Sequence, residues 1–335
     1  MKPSRIFRNI PRRQMKKQIQ QIIDAVKESQ RILIVGHVSP DGDCFGSMFA
    51  LGMELERQGK YVRTSAGEGL TDKYNFMRDY LNCCAAKDLD EEEFDLVIAV
   101  DTADDYRVGS ILEPIFKKQP LKISIDHHMT NPGFSDINWV EERSATGELI
   151  YELLKEMDAP ITVRTANALY AAIMTDTGNF IYSNTTPETL RLAAELVSIG
   201  AEVQMLAEEI YNKRSLGATK LMGAAIDTIK LYHDEKIAIM YADYAMIEGC
   251  GAVPADCESL INFAREIDTV EIAMLVREIN KTRYKVSLRS KKYADVAQLA
   301  GFFGGGGHHF AAGCTLDGTM EEVMEKMLMK AEELI

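Results

Sequence analysis

Five of the chain's six histidines fall in three segments: His37-Val38-Ser39-Pro40-Asp41-Gly42-Asp43, Asp126-His127-His128, and Gly304-Gly305-Gly306-Gly307-His308-His309. Aspartates or glycines flank them, at the ends of what read as hydrophobic strands. Imidazoles beside carboxylates form the donor set of a divalent-metal site. A glycine run lets backbone N–H groups approach an anion closely, and histidines add further donors. Metal ligands together with an anion binder point to an enzyme.

Two more carboxylates join this set. Asp101 ends the apolar run 94–101, and Asp176 follows the apolar stretch 171–174. Taken singly, H-x-x-x-D-G-D also reads as an Asp/Gly turn, and D-H-H as a chance doublet. Each caps a buried strand, however, and ligands of open α/β sheets gather at the carboxyl ends of strands. Carboxylates collected on one edge repel one another and raise each other's pKa unless cations are bound. A mixed shell of oxygen and imidazole suits Mn²⁺, with Mg²⁺, Co²⁺ or Zn²⁺ as substitutes.

The elements that must position these groups are legible as periodicity. Apolar runs at 31–36, 94–101 and 121–126, with a further strand opening at 61–63, lack period-two alternation. Helical stretches over 17–27, 45–58, 146–157 and 163–174 separate or follow them. This pattern predicts an α/β fold with a doubly wound, mostly parallel sheet covered on both faces. Residues 187–229 read as almost wholly helical and without motif chemistry, a connector. Strands at 237–241, 270–276 and 284–288, a helix from Asp295 and a closing helix over 320–334 predict a smaller mixed α/β domain. The expected organisation is therefore 1–186, a catalytic domain with a basic leading helix; 187–229, the connector; and 230–335, a substrate-binding domain.

Composition narrows the partners. A net charge of −13 argues against coating long nucleic acid through a broad basic surface, though not against a small phosphorylated substrate held through cations. No run approaches the ~20 apolar residues that span a bilayer. The leader carries Lys2, Arg5, Arg8, Arg12, Arg13, Lys16 and Lys17 but no apolar signal core; such charges suit nucleic acid or anionic lipid, and the simpler reading is a solvated approach to the first helix. Six cysteines without a C-x-x-C pair predict no disulfide framework and a reducing, cytoplasmic setting.

H-V-S-P-D-G-D, V-D-T-A-D, D-H-H-M-T-N and M-T-D-T-G-N-F resemble the motifs of the DHH phosphoesterases. G-G-G-H-H-F-A-A-G resembles the signature of the DHH-associated domain that follows them. Order and spacing match over nearly the whole chain. The branch implied contains oligoribonucleases that also dephosphorylate pAp (adenosine 3′,5′-bisphosphate), while related members cleave cyclic dinucleotides or linear products such as pApA. Relatives of this kind often form homodimers.

The resemblance implies two divalent ions, Mn²⁺ foremost. His37, Asp41 and Asp101 would hold one, and Asp43, Asp101, His127 and Asp176 the other, with Asp101 bridging. It implies that His128 stands near the scissile phosphate and that Asp126 orients an imidazole rather than binding metal. Asn131 supports the loop or a phosphate. Arg289 and Ser290 would hold the nucleotide, with Gly305, Gly306, Gly307 and His308 on a phosphate, His309 less directly, and Asn262 on the base-side wall. Closure of the second domain over the first would complete the site.

Three other readings share part of this pattern. A RecJ-type exonuclease normally carries further nucleic-acid-binding domains, for which the chain leaves little room. A pyrophosphatase of the superfamily would lack G-G-G-H-x-x-A-x-G. A non-catalytic nucleotide sensor would show a broken ligand set, whereas here every expected ligand position is filled.

Overall fold

The computed structural model describes residues 12–67, 69–89 and 92–335. Of the basic leader, Lys2, Arg5 and Arg8 lie outside the described residues. The chain divides after Lys213 into two compact units.

The first unit is built on six parallel strands: β1 (Arg31–Val35), β2 (Tyr61–Ser65), β3 (Cys83–Cys84), β4 (Leu96–Val100), β5 (Lys122–Asp126) and β6 (Ile137–Val140), in the order β3-β2-β1-β4-β5-β6. Side chains alternate between the faces, so a strand apolar at every position must be covered on both. Ile32, Ile34, Leu96, Ile98 and Val100 meet α1 (Arg12–Glu28), α2 (Gly42–Arg57), α4 (Thr146–Glu156) and α5 (Val163–Asp176) in one core. Leu33, Val35, Val97 and Ala99 meet α3 (Leu112–Lys118) in the other. The α/β class and its parallel sheet are as the apolar runs predict.

From β1 the chain winds outward to β2 and β3, then returns to lay β4 on the opposite side of β1. The strand order reverses between β1 and β4, and at such a reversal the flanking loops part and leave a crevice at the carboxyl ends. The loops leaving β1 and β4 carry His37, Asp41 and Asp101, and Asp43 opens the helix that follows β1.

Helices α6 (Pro187–Ile199) and α7 (Val203–Ala207) bury Leu196 and Leu206 in the core of the first unit. Helix α8 (Leu216–Ile226) packs Leu221 and Ala225 with the second. The stretch expected as one connector is thus shared, residues 187–213 with the first unit and 214–229 with the second.

The second unit holds β7 (Lys230–Tyr232), β8 (Ile237–Ala242), β9 (Ile272–Asn280), β10 (Arg283–Ser290), β11 (Gly306–His308) and β12 (Ala311–Asp317), in the order β11-β12-β10-β9-β8-β7. Only β8 and β9 pair in parallel, which makes the sheet mixed. Helices α9 (Tyr244–Cys250) and α10 (Ile261–Glu266) contribute Ile247, Ile261 and Ala264 to the core on one face. Helices α11 (Val296–Phe302) and α12 (Met320–Ala331) contribute Leu299 and Met327 to the core on the other. The glycine–histidine segment, expected as a loop, is instead a hairpin strand: Gly306 pairs with Gly313 and His308 with Ala311. Three residues are too few to show a strand period.

Candidate active site

Strand β1 ends at Val35, and His37 is the second residue beyond it. The His37 Nδ1 lies 2.7 Å from Val38 O. A carbonyl only accepts, so Nδ1 carries a proton there, and Nε2 faces Asp41 Oδ1 at 3.8 Å and Asp101 Oδ2 at 3.6 Å. Asp41 is the N-cap of α2, its Oδ1 accepting from Asp43 N at 3.0 Å and Cys44 N at 3.1 Å. Its role as a cap determines where the carboxylate sits.

Asp43, in the first turn of α2, is fully buried and points at the start of α4. That helix has Ala145 at its N-cap and no side-chain cap of its own. The Asp43 carboxylate supplies one, accepting from Thr146 N at 2.6 Å, Gly147 N at 2.9 Å and Ser47 Oγ at 3.1 Å. Asp101 follows β4 with φ of +58°, a left-handed conformation that Asp tolerates better than most residues. Thr146 Oγ1 donates to its Oδ1 at 3.1 Å.

Asp101 faces two ways. Oδ2 is turned to His37, while Oδ1 lies 3.5 Å from His127 Nε2. His127 Nε2 is also 4.0 Å from Asp43 Oδ2 and 3.6 Å from Asp176 Oδ2. Asp176 arrives from the last residue of helix α5 rather than from a strand end. The structure therefore gathers His37, Asp41 and Asp101 in one group, Asp43, His127 and Asp176 in a second, and Asp101, His127 and His128 in a third, ligand atoms within 4.8 Å of one another in each.

This donor set fits divalent cations. His127 Nδ1 is 3.2 Å from the carbonyl of Arg143, which puts its proton there, and Nε2 is buried without a hydrogen-bond partner. Two donors about 2.1 Å from a shared ion stand roughly 3–4 Å apart, the spacing seen around His127. Burial and the charges of Asp101 and Asp41 push Asp176 up to about 7, against the pull of His127 and His128. Burial, with Asp101, Asp176 and Asp41, raises Asp43 well above the carboxylate range. Cations among these oxygens reverse that repulsion.

Asp126 is fully buried at the end of β5 and shapes the rest of the D-H-H segment. Its Oδ1 lies 2.7 Å from His128 Nδ1, and its Oδ2 accepts from Asn131 Nδ2 at 2.7 Å and Ala103 N at 2.9 Å. Burial disfavours charge on His128, but the bond to Asp126 and the charge of Asp101 outweigh it and raise its pKa. Asn131, expected to support the loop or a phosphate, turns its amide to the loop. It is 1% exposed, with its amide on Asp126 and Ser124 and its Oδ1 accepting from Gly133 N at 2.8 Å. Every arm is spent on holding the loop.

In the second unit, β10 and the hairpin bring Arg289, Ser290, Gly305, Gly306, Gly307, His308 and His309 together. Ser290 is buried, and its backbone N donates to Phe310 O at 3.0 Å. The His309 carbonyl accepts from Val296 N at 2.9 Å, and its ring stands 3.4 Å from Asp295 Oδ2. Arg289 Nη1 donates to Leu288 O at 2.9 Å. The side chain of His308 lies outside the described atoms. Gly305 and Gly307 answer to packing: a Cβ on either would overlap the backbone of β12, at Gly313 O and Ala311 O respectively. Only Gly306 of the three has open space where its Cβ would be. Asn262 is half-buried, the second residue of α10.

Thr146 and the carbonyl of Arg143 are site groups that motif spacing did not reveal. The threonine had a faint signal, as a hydroxyl residue at the predicted start of α4. A carbonyl has none, because every residue carries one.

Comparison with known proteins agrees with this geometry. Residues 31–173 match the N-terminal domain of the DHH family, and residues 234–335 match the DHHA1 domain. The chain is 30% identical over 314 residues to the bifunctional oligoribonuclease and PAP phosphatase NrnA of Thermus thermophilus, covering 90% of this chain and 89% of the relative. A crystal structure of an exopolyphosphatase-related protein from Bacteroides fragilis has a TM-score of 0.89 at 29% identity, covering 95% of this chain and 96% of that one. RecJ from Thermus thermophilus, solved in complex with Mn²⁺, shares the fold at a TM-score of 0.54 and 14% identity, covering 95% of this chain and 54% of RecJ. The chain belongs to the DHH family of phosphoesterases and carries a DHHA1 domain within its second unit.

Proposed function

We propose that this phosphoesterase hydrolyses short oligonucleotides from an end and removes the 3′-phosphate of pAp, using two divalent ions. The observation that carries the reading is the placement of Asp101 between two ligand groups, one oxygen toward His37 and the other toward His127. His37, Asp41 and Asp101 would hold one ion, and Asp43, Asp101, His127 and Asp176 the other. The oxygen and imidazole donors suit Mn²⁺, the ion in the RecJ structure. Bound there, such ions supply an activated water and neutralise charge on the phosphoryl group.

The chain's own residues do the rest. His128, steered by Asp126 and with its pKa raised, carries a proton for the leaving oxygen. The second unit supplies Arg289, Ser290 and the Gly305–Gly307 hairpin to bind substrate phosphates, a guanidinium being suited to phosphate by geometry and permanent charge. The NrnA relative, named for activity on oligoribonucleotides and PAP, supports this choice of substrates.

The test is kcat/KM with Mn²⁺ over pAp, short RNA, short DNA, pApA and cyclic dinucleotides. Highest values on pAp and short RNA are expected. Preference for cyclic dinucleotides overturns the substrate assignment, and near-normal Mn²⁺-dependent turnover by Asp101→Asn overturns the two-ion assignment.

A further inference from the structure

The 3₁₀ turn Tyr106–Val108 lies just beyond Asp101 and is docked on the loop that carries His37. Val38 N donates to Arg107 O at 2.7 Å, and Arg107 N donates to Asp104 Oδ1 at 2.8 Å. Gly109, at φ +96°, follows so closely that a Cβ there would stand 2.6 Å from Val38 Cγ1. The position of Arg107 is therefore built into the same edge as the metal ligands.

Arg107 is half-buried as a residue, and its Nη2 stands 3.3 Å from His37 Nδ1. That nitrogen donates its N–H to Val38 O at 2.7 Å, so it offers no lone pair to Arg107. Nearby carboxylates are otherwise engaged: Asp104 by the backbone of Arg107, and Asp105 by Lys117 at 3.2 Å. Among the described residues Arg107 forms no ion pair with a carboxylate. No Arg107 nitrogen is both buried and unpartnered, so its remaining N–H groups stand open to solvent or to a ligand. It is held at the crevice where strand order reverses, beside the ligand group of His37, Asp41 and Asp101. A phosphate oxygen answers both the charge and the donors.

We propose that Arg107 is a further substrate-binding residue, its guanidinium donating to a phosphate oxygen of the nucleotide held at this edge. The inference rests on the phosphoesterase reading above. The alternative is that Arg107 only braces His37, and the two differ in what a substitution removes. A brace acts through metal affinity, whereas a phosphate ligand acts on the anion.

The experiment compares the full-length wild-type chain with Arg107→Gln and Arg107→Lys. Calorimetry measures Mn²⁺ affinity and then the affinity of the Mn²⁺-loaded protein for inorganic phosphate, and kinetics give KM and kcat on pAp. Arg107→Gln is expected to weaken phosphate binding and raise KM by about 10- to 100-fold. Mn²⁺ affinity should stay within about threefold, short of the roughly 10- to 100-fold loss typical when a ligand's supporting residue is removed. Arg107→Lys, which keeps the charge on a similar stem, should recover part of the loss. Unchanged phosphate affinity in Arg107→Gln overturns the proposal, and so does a fall in Mn²⁺ affinity as large as the fall for phosphate. A wild-type protein that neither binds Mn²⁺ nor turns over a phosphoester defeats the parent reading and this inference with it. An active wild type matched by its Arg107 variants defeats this inference alone.

Discussion

The Asp43 carboxylate accepts the backbone N–H of Thr146 at 2.6 Å across 103 residues of sequence. One side chain thereby caps α4 and stands in a ligand group, while the Thr146 hydroxyl braces Asp101 from the same turn. The N-terminus of α4 is thus tied to both groups, and its partial positive charge favours carboxylates there.

Thr146→Ala removes the Oγ1 contact to Asp101 and leaves the backbone bond to Asp43 in place. It should weaken Mn²⁺ binding by about 10-fold or more. Thr146→Ser, which keeps the hydroxyl, should restore most of it. Calorimetric titration of both variants checks this, and equal affinities in wild type and Thr146→Ala would remove the threonine from the site.

Asp176→Asn removes a carboxylate that is crowded by Asp101 and Asp41 and held high in pKa by burial. Without metal, the variant should melt at a higher temperature than wild type, because buried repulsion is relieved. With Mn²⁺ the order should reverse, since ligand binding stabilises in proportion to affinity. Thermal melts in chelator and in Mn²⁺ give the comparison.

Asn131→Ala leaves the buried Asp126 carboxylate and the Gly133 N–H each short of a partner. The expected cost is about 1–3 kcal/mol of stability. On substrate, kcat should fall while KM stays within about twofold, as for a residue that holds the loop rather than the ligand. A large rise in KM alone would return Asn131 to the substrate contacts.

Glu271 gives the second unit a pH dependence. It is buried, and its Oε1 accepts from Lys292 N at 3.0 Å, Tyr293 N at 2.7 Å and Ala294 N at 2.9 Å. Burial raises its pKa, but these three bonds outweigh it and the net shift is downward. The stability it contributes is therefore complete above the unfolded-state pKa of about 4.3 and drains away as pH falls through the lower folded value. Glu271→Gln should lower Tm at pH 7 and lower it less near pH 3. A deficit of the same size at both pH values would show that the carboxylate charge plays no part.

Much of the first unit is legible without coordinates. Ile32–Val35 and Leu96–Val100 are apolar at every position because both faces of the sheet are covered, so the strands and their parallel arrangement follow from composition alone. His37, Asp41 and Asp43 lie within seven residues and Asp126 to His128 within three, and such local spacing marks a ligand set before any fold is known. The hairpin of Gly306–His308 was hidden because three residues carry no period, and the glycines reflect crowding by β12 as much as access for an anion.

Residue type and spacing by themselves picked out the candidate ligand residues and, for His37, Asp101, Asp126 and His127, the strand that each ends or follows. Tertiary structure alone decided how they face one another. The reversal of strand order at β1 and β4 sets His37 beside Asp101. The carbonyl of Arg143 turns Nε2 of His127 toward three carboxylates, and the start of α4 receives Asp43. These contacts join groups far apart in the chain, and several use backbone atoms that every residue carries. They leave no mark on sequence, and only packing selects them.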